Sequence, residues 1–134
     1  MDGAGRPLDV DRATLYGWTV AGHDGTVSVT YTLYADRADG TYSQIDATHA
    51  HLNAPATYMW ARGFDDRPIT VRFRPYDADW KVATQLPSAN ETGLFRAPNL
   101  QYLMDSPAEL SNHAVRNWPV SDEGGRYDVR LTVH

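Results

Sequence analysis

The sequence predicts a mainly β fold, an antiparallel β-sandwich of about seven to nine strands with one short helix near 98–104. Three observations predict it. Apolar and polar residues alternate with period two over 26–34 and again over 126–133, which is the mark of a strand with one buried face. Clusters of Gly, Asp and Pro punctuate the chain every few residues, as short strands require. The stretch with helical spacing, around Leu100, Leu103 and Met104, is brief.

Taken in order, Met1–Pro7 holds two glycines and a proline and offers little to pack, so residues 1–12 read as an unstructured lead and 13–134 as a single β domain. Tyr16–Val20 is expected to form a hairpin with Thr26–Tyr34 across the turn His23-Asp24-Gly25. In Thr26–Tyr34, Val27, Val29, Tyr31 and Leu33 share one face, and Thr26, Ser28, Thr30 and Thr32 the other. Asp36–Gly40 reads as a turn and Tyr42–Asp46 as a weaker strand. Ala56–Arg62 reads as extended, with Tyr58 and Trp60 on one face. Ile69, Val71 and Phe73 alternate with Thr70, Arg72 and Arg74 until Pro75, which cannot donate to a ladder. Trp80–Leu86 is another extended run, and Ser88–Gly93 a loop. Pro98 suits a first helical position. Asp105-Ser106-Pro107 ends that helix, because a residue before proline is pushed out of the helical region. Tyr127, Val129, Leu131 and Val133 give a last strand one apolar face.

The totals limit the function classes. A chain of 134 residues suits one domain with a real core. The net charge of -5 supplies no cationic field for phosphate backbones, so no nucleic-acid partner is expected. No apolar stretch approaches the length of a membrane span, and Met1–Pro7 lacks the basic-then-apolar pattern of a signal peptide. With no cysteine there is neither a disulfide framework nor a thiolate nucleophile.

The candidates for chemistry are few. His49 and His51 alternate, so on a strand they point the same way, and such a pair can hold zinc if a third ligand joins. His23, His113 or a carboxylate are the available third ligands; a solvated or hydrogen-bonded histidine pair is the alternative, and the sequence on its own assigns no metal site and no cofactor to this chain. No His-Glu-x-x-His, no Gly-x-Ser-x-Gly and no Gly-rich phosphate loop occurs. Asp65, Asp66, Asp77 and Asp79 are spaced as turn residues. Trp18, Trp60, Trp80 and Trp118, with eight tyrosines, are generous for this length. They are expected in the core or at a domain interface; exposed, they would suit an independent carbohydrate- or protein-binding sandwich. A third reading is a small metalloenzyme built on His49 and His51.

Two longer stretches are distinctive. Asp79-Trp80-Lys81-Val82-Ala83-Thr84-Gln85-Leu86 is followed by Phe95-Arg96-Ala97-Pro98 and, further on, by Asp105-Ser106-Pro107-Ala108-Glu109. Together they resemble the glycyl aminopeptidase family, the PDZ-containing zinc peptidases of metallopeptidase family 61, with its W-K-V-A-T-x-L strand and its D-S-P-x-E-x-G piece. His49–Asn53 is similar to the family's H-x-F-L-N segment and Gly63–Arg74 to a further strand. The sequence departs from the pattern in three places. Ser111 replaces the last glycine, the helix tyrosine is shifted to Tyr102 with Leu100 early, and the family's first Trp-Pro-Gly-type strands have no counterpart.

The resemblance implies a non-catalytic N-terminal β domain, leading at its end into the catalytic domain of a zinc aminopeptidase. On that reading the enzyme's active site, its zinc and a PDZ domain lie on other sequence. The partners implied are the chain's own catalytic domain and a peptide substrate, and a periplasmic or secreted parent is expected. The resemblance also implies a share in substrate binding for Glu109, with Asp105 beside it. Both lie at the domain junction, where an aminopeptidase needs a fixed anion for the substrate's α-ammonium.

Overall fold

The computed structural model describes residues 1–37 and 39–134; Ala38, within the predicted turn 36–40, lies outside the described residues. The protein is mainly β, with ten strands, all paired antiparallel, and two short helices among the described residues. The chain divides into two compact units, Met1–Leu33 and Tyr34–His134.

In the first unit, β1 (Asp9–Thr14) pairs with β2 (Gly17–Ala21), Val10 opposite Val20 and Arg12 opposite Trp18. This corrects two expectations. Residues 9–12, read as part of an unstructured lead, form most of β1, because they supply the partner that β2 needs. Ahead of them Asp2 is 4% exposed. Its carboxylate takes the amides of Ala4 and Arg6 and the Arg6 guanidinium, and these bonds hold its pKa below the usual aspartate value. The second correction concerns Thr26–Tyr34. Its alternation is regular, yet no ladder runs along it among the described residues. Ser28 exchanges two backbone bonds with Met1, at 2.7 and 2.9 Å, and the pairing stops there. Val29 stays 55% exposed. Alternation specifies a conformation and a face, but a strand also needs a neighbour to accept its N–H groups.

The second unit carries the core. A four-stranded sheet has the order β3 (Gln44–Ile45), β4 (His49–Leu52), β8 (Ala108–Ser111), β6 (Lys81–Thr84). β5 (Ile69–Arg72) and β7 (Leu94–Ala97) form a separate pair. Ala50, Ala108 and Leu110 of the first sheet meet Val71 and Ala97 of the second, with Phe73, Leu86 and Leu103 closing the cluster. Phe73 and Phe95 pack edge-on with centroids 5.5 Å apart, the arrangement the ring quadrupoles favour. Period two thus sends every second residue of β4 and β8 into the core and leaves the other face polar.

The helix predicted near 98–104 is present as α2 (Leu100–Met104). Its cap is Asn99 rather than a proline at the first helical position: the Asn99 side chain accepts the amide of Tyr102 at 2.9 Å, as an N-cap does. The other helix, α1 (Ala54–Thr57), takes the first two residues of the extended run expected over 56–62. Pro55 in its first turn presets the helical φ, and Tyr58 then returns to extended backbone. Of the four tryptophans, Trp80 packs against the core, while Trp18, Trp60 and Trp118 are exposed and lie outside it.

β9 (Ala114–Asp122) and β10 (Gly125–Val133) make a regular hairpin closed by Asp122, whose carboxylate accepts the amides of Gly124 and Gly125. Pro119 is tolerated mid-strand because this sheet has two strands and each keeps a free edge.

Candidate functional site

The polar face of the four-stranded sheet gathers the chemistry-bearing side chains of the second unit. β8 lies between β4 and β6, with His51 opposite Glu109 and His49 opposite Ser111 on one side, and Ala83 and Lys81 opposite the same two residues on the other. Residues directly opposite share a face, so His49, His51, Glu109, Ser111 and Lys81 all project away from the core.

Glu109 is the hub. Its Oε1 lies 3.1 Å from Nδ1 of His49 and its Oε2 lies 3.6 Å from Nδ1 of His51. All three side chains are partly withdrawn from water. The other nitrogen of His49, Nε2, faces the Asp46 carboxylate at 3.7 Å. Asp46 is fixed by a tight turn in which it accepts the Thr48 hydroxyl, the Thr48 amide and the His49 amide. Those bonds, the hydroxyl's foremost, lower its pKa from 3.8 to about 2. His134 stacks on His49 with ring centroids 4.5 Å apart and planes 12° from parallel. His49, Glu109 and His134 each place one ligand atom within 4.8 Å of the other two.

Beside this cluster, part of the face is buried. Ser111 has no exposed surface, and its hydroxyl lies 3.4 Å from Nδ1 of His113, itself 4% exposed. The Lys81 ammonium donates to the His113 carbonyl at 3.0 Å. Burial, reinforced by the Lys81 charge, pushes the His113 pKa down, so the ring favours its neutral form. A buried serine beside a buried histidine has no path to a substrate.

The predicted site residues fall in different surroundings. His49 and His51 do share a face, and a carboxylate, Glu109, joins them. Of the other histidines weighed as a third ligand, His113 turns to Ser111, and His23 accepts the Gly25 amide in a loop of the first unit. Asp105 stands apart in its bonding. It ends α2, its carboxylate accepts the Gln101 side-chain amide at 3.0 Å, and its carbonyl accepts Gln85 at 2.8 Å. His134 and Asp46 were not singled out in the sequence. The Asp-x-Thr-His spacing at 46–49 carried a signal for Asp46, as a turn acceptor. Nothing local announces that a histidine after the last strand returns to β4.

Among the described residues no helix is long and apolar enough to cross a membrane. Among curated proteins none matches the chain. The fold is similar to that in the crystal structure of an aminopeptidase N family protein from Idiomarina loihiensis, with a TM-score of 0.79 and 24% identity over 95% of this chain. This chain spans 22% of the length of that protein. The family pattern that matches, over residues 1–112, is that of the peptidase M61 N-terminal domain, and the chain belongs to that family.

Proposed function

We propose that this chain serves as the non-catalytic N-terminal β domain of a zinc aminopeptidase, packing against that enzyme's own catalytic domain and helping to shape the cleft that receives the peptide. The match to the M61 N-terminal domain over residues 1–112 carries this reading. The small share of the Idiomarina protein that the chain spans supports it. Zinc, a PDZ domain and the reacting groups then belong to other parts of the enzyme.

Within that role Glu109 is the group we assign to the substrate's α-ammonium. It lies in the Asp-Ser-Pro-x-Glu segment on the central strand, and strand pairing on both sides fixes its backbone. Asp105 is the weaker candidate, since it lies at the end of α2, off the strand that presents Glu109. An anion held in place beforehand recognises a primary ammonium without paying for its own ordering. The test is Glu109→Gln in the enzyme that joins this domain to its catalytic domain. Loss of a buried charge partner costs about 2 kcal/mol or more, so kcat/KM for free-amine substrates should fall roughly 30-fold. An unchanged value overturns the assignment.

A second reading, an independent carbohydrate- or protein-binding module, has one observation in its favour: Trp60 is 59% exposed. Glycan binding by the chain that Trp60→Ala abolishes would establish it; no binding across a glycan panel would remove its carbohydrate form.

A further inference from the structure

His49, Glu109 and His134 combine two imidazoles and one carboxylate, a ligand set that zinc and neighbouring divalent ions accept. Their spacing suits it. His49 Nδ1 and Glu109 Oε1 are 3.1 Å apart, close to the edge of about 3.4 Å between two ligands of a tetrahedral ion bound at about 2.1 Å. One ligand atom from each of the three residues falls within 4.8 Å of the others. The first two ligands sit on neighbouring, hydrogen-bonded strands. The third is an exposed side chain outside the sheet, stacked on His49, and it leaves that stack when its nitrogen turns to the ion.

A second observation is independent of that spacing. Histidines that bind metal usually present their other nitrogen to a carboxylate, which fixes the ring and raises its basicity. His49 has that arrangement: Nδ1 faces the cluster and Nε2 faces Asp46 at 3.7 Å. Glu109 is supported likewise, its second oxygen standing 3.6 Å from His51. Two of the three ligands, His49 and Glu109, thus have an outer neighbour within 4 Å.

We propose that His49, Glu109 and His134 form a site for one divalent transition-metal ion, zinc by its ligand preference, with solvent completing the coordination. This site goes beyond the function proposed above, and the ion competes with a substrate amine for the Glu109 carboxylate.

Calorimetric titration of the 134-residue chain with zinc chloride tests the site, with cobalt(II) absorption reporting ligand geometry. One equivalent should bind, with cobalt giving the intense visible bands of a four-coordinate site. His49→Ala, Glu109→Gln and His134→Ala should each weaken binding roughly tenfold or more, whereas His23→Ala should leave it unchanged. His134→Ala alters an exposed side chain outside the sheets, so its effect cannot be ascribed to misfolding. Absence of saturable binding, or binding that His134→Ala leaves intact, overturns the proposal. Either result concerns the ion alone; the kinetic test of Glu109 with amine substrates stands or fails separately.

Discussion

The carboxylate of Glu109 meets Nδ1 of His49 at 3.1 Å across a diagonal of the β4–β8 ladder, each residue lying opposite a different partner. Sixty positions separate them in the chain, and only the register of two strands brings them together. The same register decides which substitutions the fold tolerates.

Leu110 follows Glu109 on β8 and points into the core, 5% exposed. Leu110→Ala removes buried methyl groups and leaves a cavity, at a cost of about 2–5 kcal/mol. Trp60→Ala, on an exposed ring, should change stability by about 0.5 kcal/mol or less. Urea melts of the two variants should differ in midpoint accordingly; equal midpoints would mean that the core lies elsewhere.

Gly93 adopts φ +73° and its carbonyl accepts the Phe73 amide at 2.9 Å. A Cβ there would stand 2.9 Å from the Phe73 carbonyl oxygen, against backbone that cannot easily yield. Gly93→Ala should therefore lower stability by about 1–3 kcal/mol. Gly63, also at positive φ but with open space around it, should bear the φ strain alone, and its alanine variant should melt above that of Gly93→Ala.

Asn99 caps α2 through Tyr102. Asn99→Ala should cost about 1 kcal/mol, and Asn99→Asp should restore most of it because a carboxylate accepts the same amide. Thermal melts of both variants check this, and a failure of the aspartate to rescue would show that the Asn99 side chain acts in some other way.

Acid should weaken the fold in two steps. His113 has a folded pKa below its ordinary 6.5, so the unfolded chain takes up that proton first. Its contribution is full above 6.5 and is lost as the pH falls through the lower folded value. Asp46 has its folded pKa lowered from 3.8 to about 2. Its contribution is full above 3.8 and is lost between 3.8 and about 2. Denaturation followed from pH 7 downward should show a first decline that His113→Gln flattens and a later one, shared with Asp2, Asp24, Asp39 and Glu91, that Asp46→Asn reduces. A first decline that survives His113→Gln would rule out this histidine as its source.

Period-two alternation was legible at Ile69–Arg72 and Gly125–Val133, and Lys81–Thr84 lies in a run read as extended, whereas β8 and β9 carried no such signal. It misled at Thr26–Tyr34, where the pattern is at its most regular, because alternation says nothing of who supplies the neighbouring strand. β1 was hidden for the converse reason: Asp9-Val10-Asp11-Arg12 is too polar to look buried, and all six residues of β1 are indeed exposed. The candidate site divides along the same line. The shared face of His49 and His51 follows from spacing on one strand, and Glu109 from the motif it sits in. Their convergence with His134 follows from tertiary register, which no local window contains.

β8 is hydrogen-bonded on both flanks, with Ala108 and Leu110 turned to the core and Glu109 and Ser111 to the polar face. A slip of one residue would reverse this parity. It would bury a carboxylate and wet a leucine while breaking two ladders at once. The strand therefore behaves as a ratchet with a single notch. Single-residue insertions or deletions ahead of Ala108 cannot be absorbed by sliding, and changes in the Asp105–Pro107 turn must preserve its length even where they alter its residues. Aim and anchorage in this segment are one property, because the backbone position that presents Glu109 is the one that buries Leu110.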